Sequence, residues 1–134
     1  MKLFSISPDG GPESPVRGLF IVEIKSLFSI VILRFATGGR EAFHTHAFHA
    51  LTWFISGSLH EQVLQPDGSI VTRQYRRSFI PKITRRQHNH RVIADRTSWC
   101  ISIRGPWSRT WTEDTDTHHT ILTHGRKIID RHQR

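Results

Sequence analysis

Between residues 19 and 104 the chain is a succession of short runs rich in Ile, Val, Phe and Thr, most of them ended by a turn signal. No segment before residue 118 carries an apolar stripe of helical period. That pattern constrains the fold more than any other feature, because many short strands with turns between them suggest a sandwich or a barrel. Strands are expected over 19–25 and 27–35, followed by a turn at Thr37-Gly38-Gly39. A further strand is expected over 42–55, ending at Gly57. Runs 59–65 and 69–76 flank Pro66-Asp67-Gly68, where Pro presets φ and Gly accepts positive φ, so they read as a hairpin. Residues 78–80 read as a short strand stopped by Pro81. Runs 90–94 and 99–104 flank Asp95-Arg96-Thr97-Ser98 and read as a second hairpin.

The length, 134 residues, fits one domain. Residues 1–18, with Pro8, Pro12 and Pro15, read as an N-terminal arm, and 19–112 as the barrel domain. Residues 113–134 form a polar, His/Arg-rich C-terminal extension. Its histidines, at 118, 119, 124 and 132, read as solvated or partner-binding rather than metal-ligating.

Cys100 is the only cysteine, which rules out a disulfide framework and a Cys-rich zinc site. It lies within a strand-like run and reads as a small buried hydrophobe. No apolar run reaches the length of a membrane span. The N-terminal residues lack the apolar stretch of a signal peptide, so a cytoplasmic location is expected, or a host cytoplasm for a phage-encoded chain. Nineteen Lys and Arg against 11 Asp and Glu give a formal charge of +8, mostly from Arg, whose fork suits phosphates and carboxylates. An anionic partner is therefore expected, either a small molecule or a nucleic acid.

The stretch 38–57 carries the chemistry. His44 and His46 stand at i and i+2, which on a strand puts both imidazoles on one face, where they can share a metal. A third ligand must come from a distant strand, as a closed barrel allows. His90 is the first candidate, because it shares parity with Val92 and Ala94 on a plausible inward face. His88 is its substitute, and His49 or Glu61 could stand in for a fourth ligand. A histidine-only site is neutral and suits a divalent transition metal such as Fe, Mn, Ni or Zn.

This stretch resembles the first cupin motif, Gly-x5-His-x-His-x3-Glu-x6-Gly. Gly38, His44, His46 and Gly57 fall in register, while Ala50 occupies the place of the glutamate. In the second cupin motif Pro81 fits, Tyr75 replaces the Gly, and Arg86 stands where a His belongs, with His88 and His90 slightly later. The chain is also similar to a group of small cupin-like proteins of bacteria and phages. The matching residues are His44-Thr45-His46, Phe48, Trp53, Gly57, His90-Arg91-Val92, Arg104-Gly105-Pro106 and Trp111, within residues 19–112. The resemblance implies an all-β, cupin-type double-stranded β-helix (a jelly-roll barrel), a metal centre in the barrel, and a homodimer built through the N-terminal arm or an edge strand.

Arg34, Arg73 and Arg104 lie on expected strands, and any that points inward would line the cavity and meet an acidic partner or an anionic ligand. Together with Trp53 and Arg40 they are the candidate substrate contacts. Arg76, Arg77, Lys82, Arg85 and Arg86 crowd around Pro81 and could hold an anionic substrate or a nucleic acid. No nucleophile elbow, P-loop or dinucleotide fingerprint is present. Three functions follow in order of preference: a metal-dependent oxygenase, isomerase or lyase acting on a small anion; a non-catalytic binder of a nucleotide-like molecule; and a nucleic-acid-binding protein using a basic face.

Overall fold

The computed structural model describes residues 1–12, 14–39 and 42–133. Its strands, in chain order, are β1 (Lys2–Pro8), β2 (Val16–Ile24), β3 (Phe28–Phe35), β4 (Gly38–Gly39), β5 (Phe43–His44), β6 (Ala50–Ser56) and β7 (Ser58–Leu64). They continue with β8 (Ile70–Arg76), β9 (Lys82–Thr84), β10 (His90–Ala94), β11 (Ser98–Arg104), β12 (Thr110–Asp114), β13 (His118–Thr123) and β14 (Lys127–Gln133). Among the described residues the one helical element is a single 3₁₀ turn, His124–Arg126. Among the described residues no helix is long and apolar enough to cross a membrane.

The strands pair antiparallel into two sheets. One runs β1-β2-β3-β11-β6-β9 and the other β14-β13-β12-β5-β10-β7-β8, with β4 beside β10. This is the jelly-roll arrangement expected from the sequence. Period-two burial places the core between the sheets: Phe20, Val31, Leu33 and Cys100 from one, Leu59 and Ala94 from the other. The core is small because the same inner faces also carry polar groups. Ser29, Ser98, Ser102, Glu61, His90 and Arg104 are all buried.

The hairpin over 65–69 forms as its turn residues require. Gly68 takes φ +90°, its amide reaches the Gln65 carbonyl at 2.9 Å, and the Ser69 amide reaches Asp67 Oδ1 at 2.9 Å. The second expected hairpin does not form. β10 pairs with β7, β5 and β4, whereas β11 pairs with β3 and β6, so residues 95–98 carry the chain from one sheet to the other. Gly57 does the same between β6 and β7. It sits at φ +98°, and a Cβ there would lie 2.6 Å from Ser98 Cα and 2.1 Å from Ser98 Oγ. The two crossings are packed against each other, tied by Ser58 N donating to Ser98 Oγ at 3.0 Å.

Other expectations are corrected. Residues 78–80 form no strand; Phe79 and Ile80 are highly exposed, and the strand follows Pro81 as β9. The run 42–55 is two strands, β5 and β6, separated by irregular backbone. The segment 1–18, expected as an arm, contributes β1 and the start of β2, with β1 as a sheet edge. For the extension 113–134 the sequence leaves a short helix, an added strand or a loose tail open, and the chain takes the strand option: it completes β12 and adds β13 and β14 to the second sheet.

Candidate metal centre

Three strands and one short connection assemble the centre. His44 ends β5 and lies directly across from His90 of β10. Beyond His44 the chain leaves the sheet but keeps the i, i+2 relation, because Thr45 is clamped to β12. The Thr45 amide donates to the Thr112 carbonyl at 3.0 Å, and the Thr112 amide donates to Thr45 Oγ1 at 2.9 Å. The His46 amide is then fixed by the Arg86 carbonyl at 3.3 Å.

The three rings form a triangle. Their centroids are 4.9 Å apart for His44 and His46, and 5.0 Å for each of those with His90. One nitrogen of each lies within 4.8 Å of the others. His46 Nδ1 and His90 Nε2 are buried without a hydrogen-bond partner among the described residues. Buried imidazole nitrogens ordinarily find a partner, so unpartnered nitrogens on rings this close together fit a cation. Burial, reinforced by neighbouring His44 and His90, lowers the His46 pKa well below 6.5. Burial also lowers His90, against the opposing pull of Glu61. Both rings are thus neutral at physiological pH, the form that ligates.

Glu61 of β7 organises the next layer. Burial alone would raise its pKa, but hydrogen bonds from His88, His90 and Lys82 hold it far below the usual carboxylate range. Lys82 Nζ donates to Glu61 Oε2 at 2.8 Å, His88 Nε2 to the same oxygen at 3.2 Å, and Tyr75 OH to Oε1 at 3.3 Å. The His90 Nδ1 proton also goes to Oε2. A carboxylate can only accept, so this bond assigns the His90 tautomer and leaves Nε2 as the ligating atom. Glu61, His88 and His90 make a second grouping of metal-ligating type. Its carboxylate is already engaged by Lys82, so the three-histidine triangle is the better cation site.

The triangle opens onto a cavity of about 530 Å³ between the sheets. Glu61, Lys82, Arg104, Tyr75, Phe48 and Trp107 share its wall with the histidines. Ala50, at the position of the motif glutamate, also lines it and offers no oxygen.

The remaining candidates are distributed differently. Among the expected arginines, Arg104 faces inward, where its guanidinium meets Asp9. Arg34 is exposed on a face away from the cavity, because the inward positions of β3 are Ser29, Val31 and Leu33. Arg73 is exposed in a shallow depression beside Arg85 and His88. Trp53 lies outside the cavity, since the inward positions of β6 are Ala50, Thr52 and Phe54. Arg40 falls outside the described residues. His49 is exposed and accepts from the Arg86 amide at 3.1 Å. His118, His119, His124 and His132 lie on or beside β13 and β14, outside both groupings. Arg76, Arg77 and Arg85 are exposed and Arg86 half-buried, but Lys82, grouped with them on sequence, points inward to Glu61.

Two partners were not among the sequence candidates, Asp9 and Tyr75. Asp9 gave no signal, being one acid in a Pro/Gly segment. Tyr75 stood out as a replacement for a motif glycine and as a ring that could stack on a nucleic acid, not as a partner of Glu61, and it is the one residue of β8 that is not exposed.

Two sheets enclosing a histidine triangle define a cupin fold. No protein-family model matches the sequence, and no curated protein sequence does either. Solved structures do match. An iron(II) form of HppE superposes with TM-score 0.61 at 10% identity, covering 75% of this chain and 55% of that one. An RmlC-like cupin from Shewanella frigidimarina gives 0.53 at 17% identity, covering 77% and 84%. Bacillus subtilis oxalate decarboxylase, a protein with Mn(II) centres, gives 0.53 at 14% identity, covering 69% and 25%. The chain thus spans a quarter of oxalate decarboxylase and just over half of HppE. The protein has the cupin fold.

Proposed function

We propose that the protein is a metal-dependent cupin that acts on a small anionic molecule in its barrel cavity. The observation that carries this reading is the convergence of His44, His46 and His90 nitrogens within 4.8 Å of one another at the cavity wall. These three residues would hold a divalent transition metal, with Fe and Mn favoured by analogy with iron(II) HppE and the Mn(II) centres of oxalate decarboxylase. When bound, such a metal with open coordination positions polarises a substrate oxygen or activates water or dioxygen. The chain's own part is positioning and charge. Glu61 fixes the His90 ring, and Lys82 and Arg104 bring cationic donors to the cavity wall, each paired with a carboxylate, Glu61 and Asp9. Phe48 and Trp107, with ring centres 5.4 Å apart, give the cavity wall an apolar surface for a substrate's apolar portion.

Elemental analysis of tag-free protein, wild type beside His44→Ala/His46→Ala, tests the reading. The expected result is a stoichiometric metal in the wild type that is lost from a folded double variant. Two folded proteins that both remain metal-free after reconstitution would overturn it.

A second reading is ligand binding without turnover. Ala50 supports it, because the centre then rests on three imidazoles and lacks the carboxylate of the motif. A ligand recovered chemically intact after prolonged incubation with metal-loaded protein would favour this reading over catalysis.

A further inference from the structure

The proposed function leaves open which group on the ligand is recognised. We propose that Arg104 is a receptor for a ligand carboxylate, and that the Asp9 side chain occupies this receptor until a ligand displaces it. The inference deepens the reading above and rests on its placing the ligand in the barrel cavity.

The arginine is built into the barrel. Its side chain is only 5% exposed, and its guanidinium lies 4.6 Å from the centre of the Phe48 ring and 5.8 Å from that of Phe20. These faces hold the plane of the fork against rotation. Nη1 donates to Asp9 Oδ1 at 3.1 Å and Nη2 donates to Asp9 Oδ2 at 2.7 Å, the two-pronged geometry in which arginine takes a planar carboxylate. Nε is buried and has no hydrogen-bond partner among the described residues. The guanidinium therefore keeps donor capacity that Asp9 does not use, in a setting where an unused buried donor is costly.

Asp9 is the movable partner. Its side chain is 28% exposed, against 5% for Arg104. It follows β1 and precedes Gly10 and Gly11, whose φ angles are +93° and +102°. Its amide is bonded to the Val16 carbonyl at 2.9 Å, so rotation of the side chain alone releases the arginine while the backbone pairing stays. Asp9 and Arg104 both line the cavity that holds the histidine triangle, so a carboxylate that replaced Asp9 would arrive beside that centre.

The chemistry points to a carboxylate rather than a phosphate. The site presents a flat pair of donors between aromatic faces, already matched to a planar anion. Of the other cations that line the cavity, Lys82 is committed to Glu61 and Arg126 to Glu113, while the Lys2 and Lys25 ammonium groups lie over the Phe20 and Trp107 rings. The fork already holds a planar carboxylate, that of Asp9, in the two-pronged geometry that a ligand carboxylate would adopt.

The test is calorimetric titration of the full chain with benzoate, with benzamide and inorganic phosphate as comparison probes and metal content measured in parallel. Benzoate is expected to bind and the two comparison probes to fail. Because Asp9 competes for the receptor, Asp9→Asn is expected to bind benzoate on the order of 10-fold more tightly with unchanged metal content, and Arg104→Met to lose it. Should Asp9→Asn not melt cooperatively, nuclear magnetic resonance of the wild type serves instead. The Arg104 Nε–H resonance, assigned by its loss in Arg104→Lys, is expected to shift on benzoate addition. Equal or weaker benzoate binding in a folded Asp9→Asn, phosphate binding better than benzoate, or an unmoved Nε–H resonance overturns the proposal. A metal-free protein that still binds benzoate through Arg104 would sink the metal reading and keep this one. A metal-loaded protein indifferent to Arg104→Met would do the reverse.

Discussion

The His90 ring gives its Nδ1 proton to Glu61 across the β10–β7 ladder, in which Glu61 lies opposite Val92, two residues along from His90. One hydrogen bond therefore decides which His90 nitrogen faces the triangle. The carboxylate that fixes it stands on the strand after the one carrying Ala50, at the motif glutamate's position. Its effect on the centre is exerted through the imidazole.

Glu61→Gln should weaken metal binding by about 10–100-fold while leaving the three ligands in place, the usual consequence of losing an orienting partner behind a ligand. The substitution also leaves Lys82 without its counter-charge. Breaking a fully buried pair costs about 3–5 kcal/mol, and the cost here is smaller because the Lys82 side chain keeps 15% exposure. Glu61→Gln/Lys82→Met should recover stability in urea but not metal affinity. Recovery of both would mean that Glu61 serves packing alone.

His88 and His90 separate the two possible cation sites. Both touch Glu61, but only His90 belongs to the triangle with His44 and His46. His90→Ala should abolish metal retention after dialysis, whereas His88→Ala should leave the stoichiometry unchanged. Loss from both variants would move the ion to the Glu61–His88–His90 grouping, which shares His90 with the triangle.

The crossing glycine makes a sharp stability prediction. At Gly57 an added Cβ meets both an unfavourable φ of +98° and the Ser98 backbone; at Gly68 it meets φ +90° but open space. Gly68→Ala should cost about 1–3 kcal/mol, the price of conformational strain alone. Gly57→Ala should cost clearly more, because the two sheet crossings must part to admit the methyl group. Thermal melts of the two variants compare these directly, and equal melting temperatures would show that Ser98 yields freely.

The parts of the fold and site that were legible in the sequence are those with local periodicity. His44 and His46 read correctly as neighbours because they stand two positions apart, with Thr45 alone between them, although the geometry is held by Thr45 and Thr112 rather than by an unbroken strand. His90 read as inward because Val92 and Ala94 share its parity. The turn at 95–98 looked like a hairpin because a polar turn between strand-like runs says nothing about which sheet each run joins; that choice is made by partners such as Leu33 and Ile32, far away in sequence. β14 was illegible for another reason. Every residue of it is exposed, so it has no burial pattern to leave a trace. The Asp9–Arg104 pair spans 95 residues and carries no local signal.

Cys100 supplies a pH-dependent test of the barrel interior. Burial pushes its thiol up from 9.0 to about 12. The unfolded chain loses this proton near pH 9, while the folded chain keeps it until about 12. The group therefore contributes stability that is fully present below pH 9 and is lost as pH rises through that window. Wild type and Cys100→Ala should differ in urea midpoint by a constant cavity cost up to pH 9, and the difference should shrink between pH 9 and 11. At pH 8 the native thiol should also resist a disulfide reagent such as DTNB until urea unfolds the chain, since the thiolate is the reacting form and the sulfur is fully buried. Rapid reaction of the folded protein, or a difference that does not change with pH, would mean that the inner face of β11 opens to solvent far more often than its burial implies.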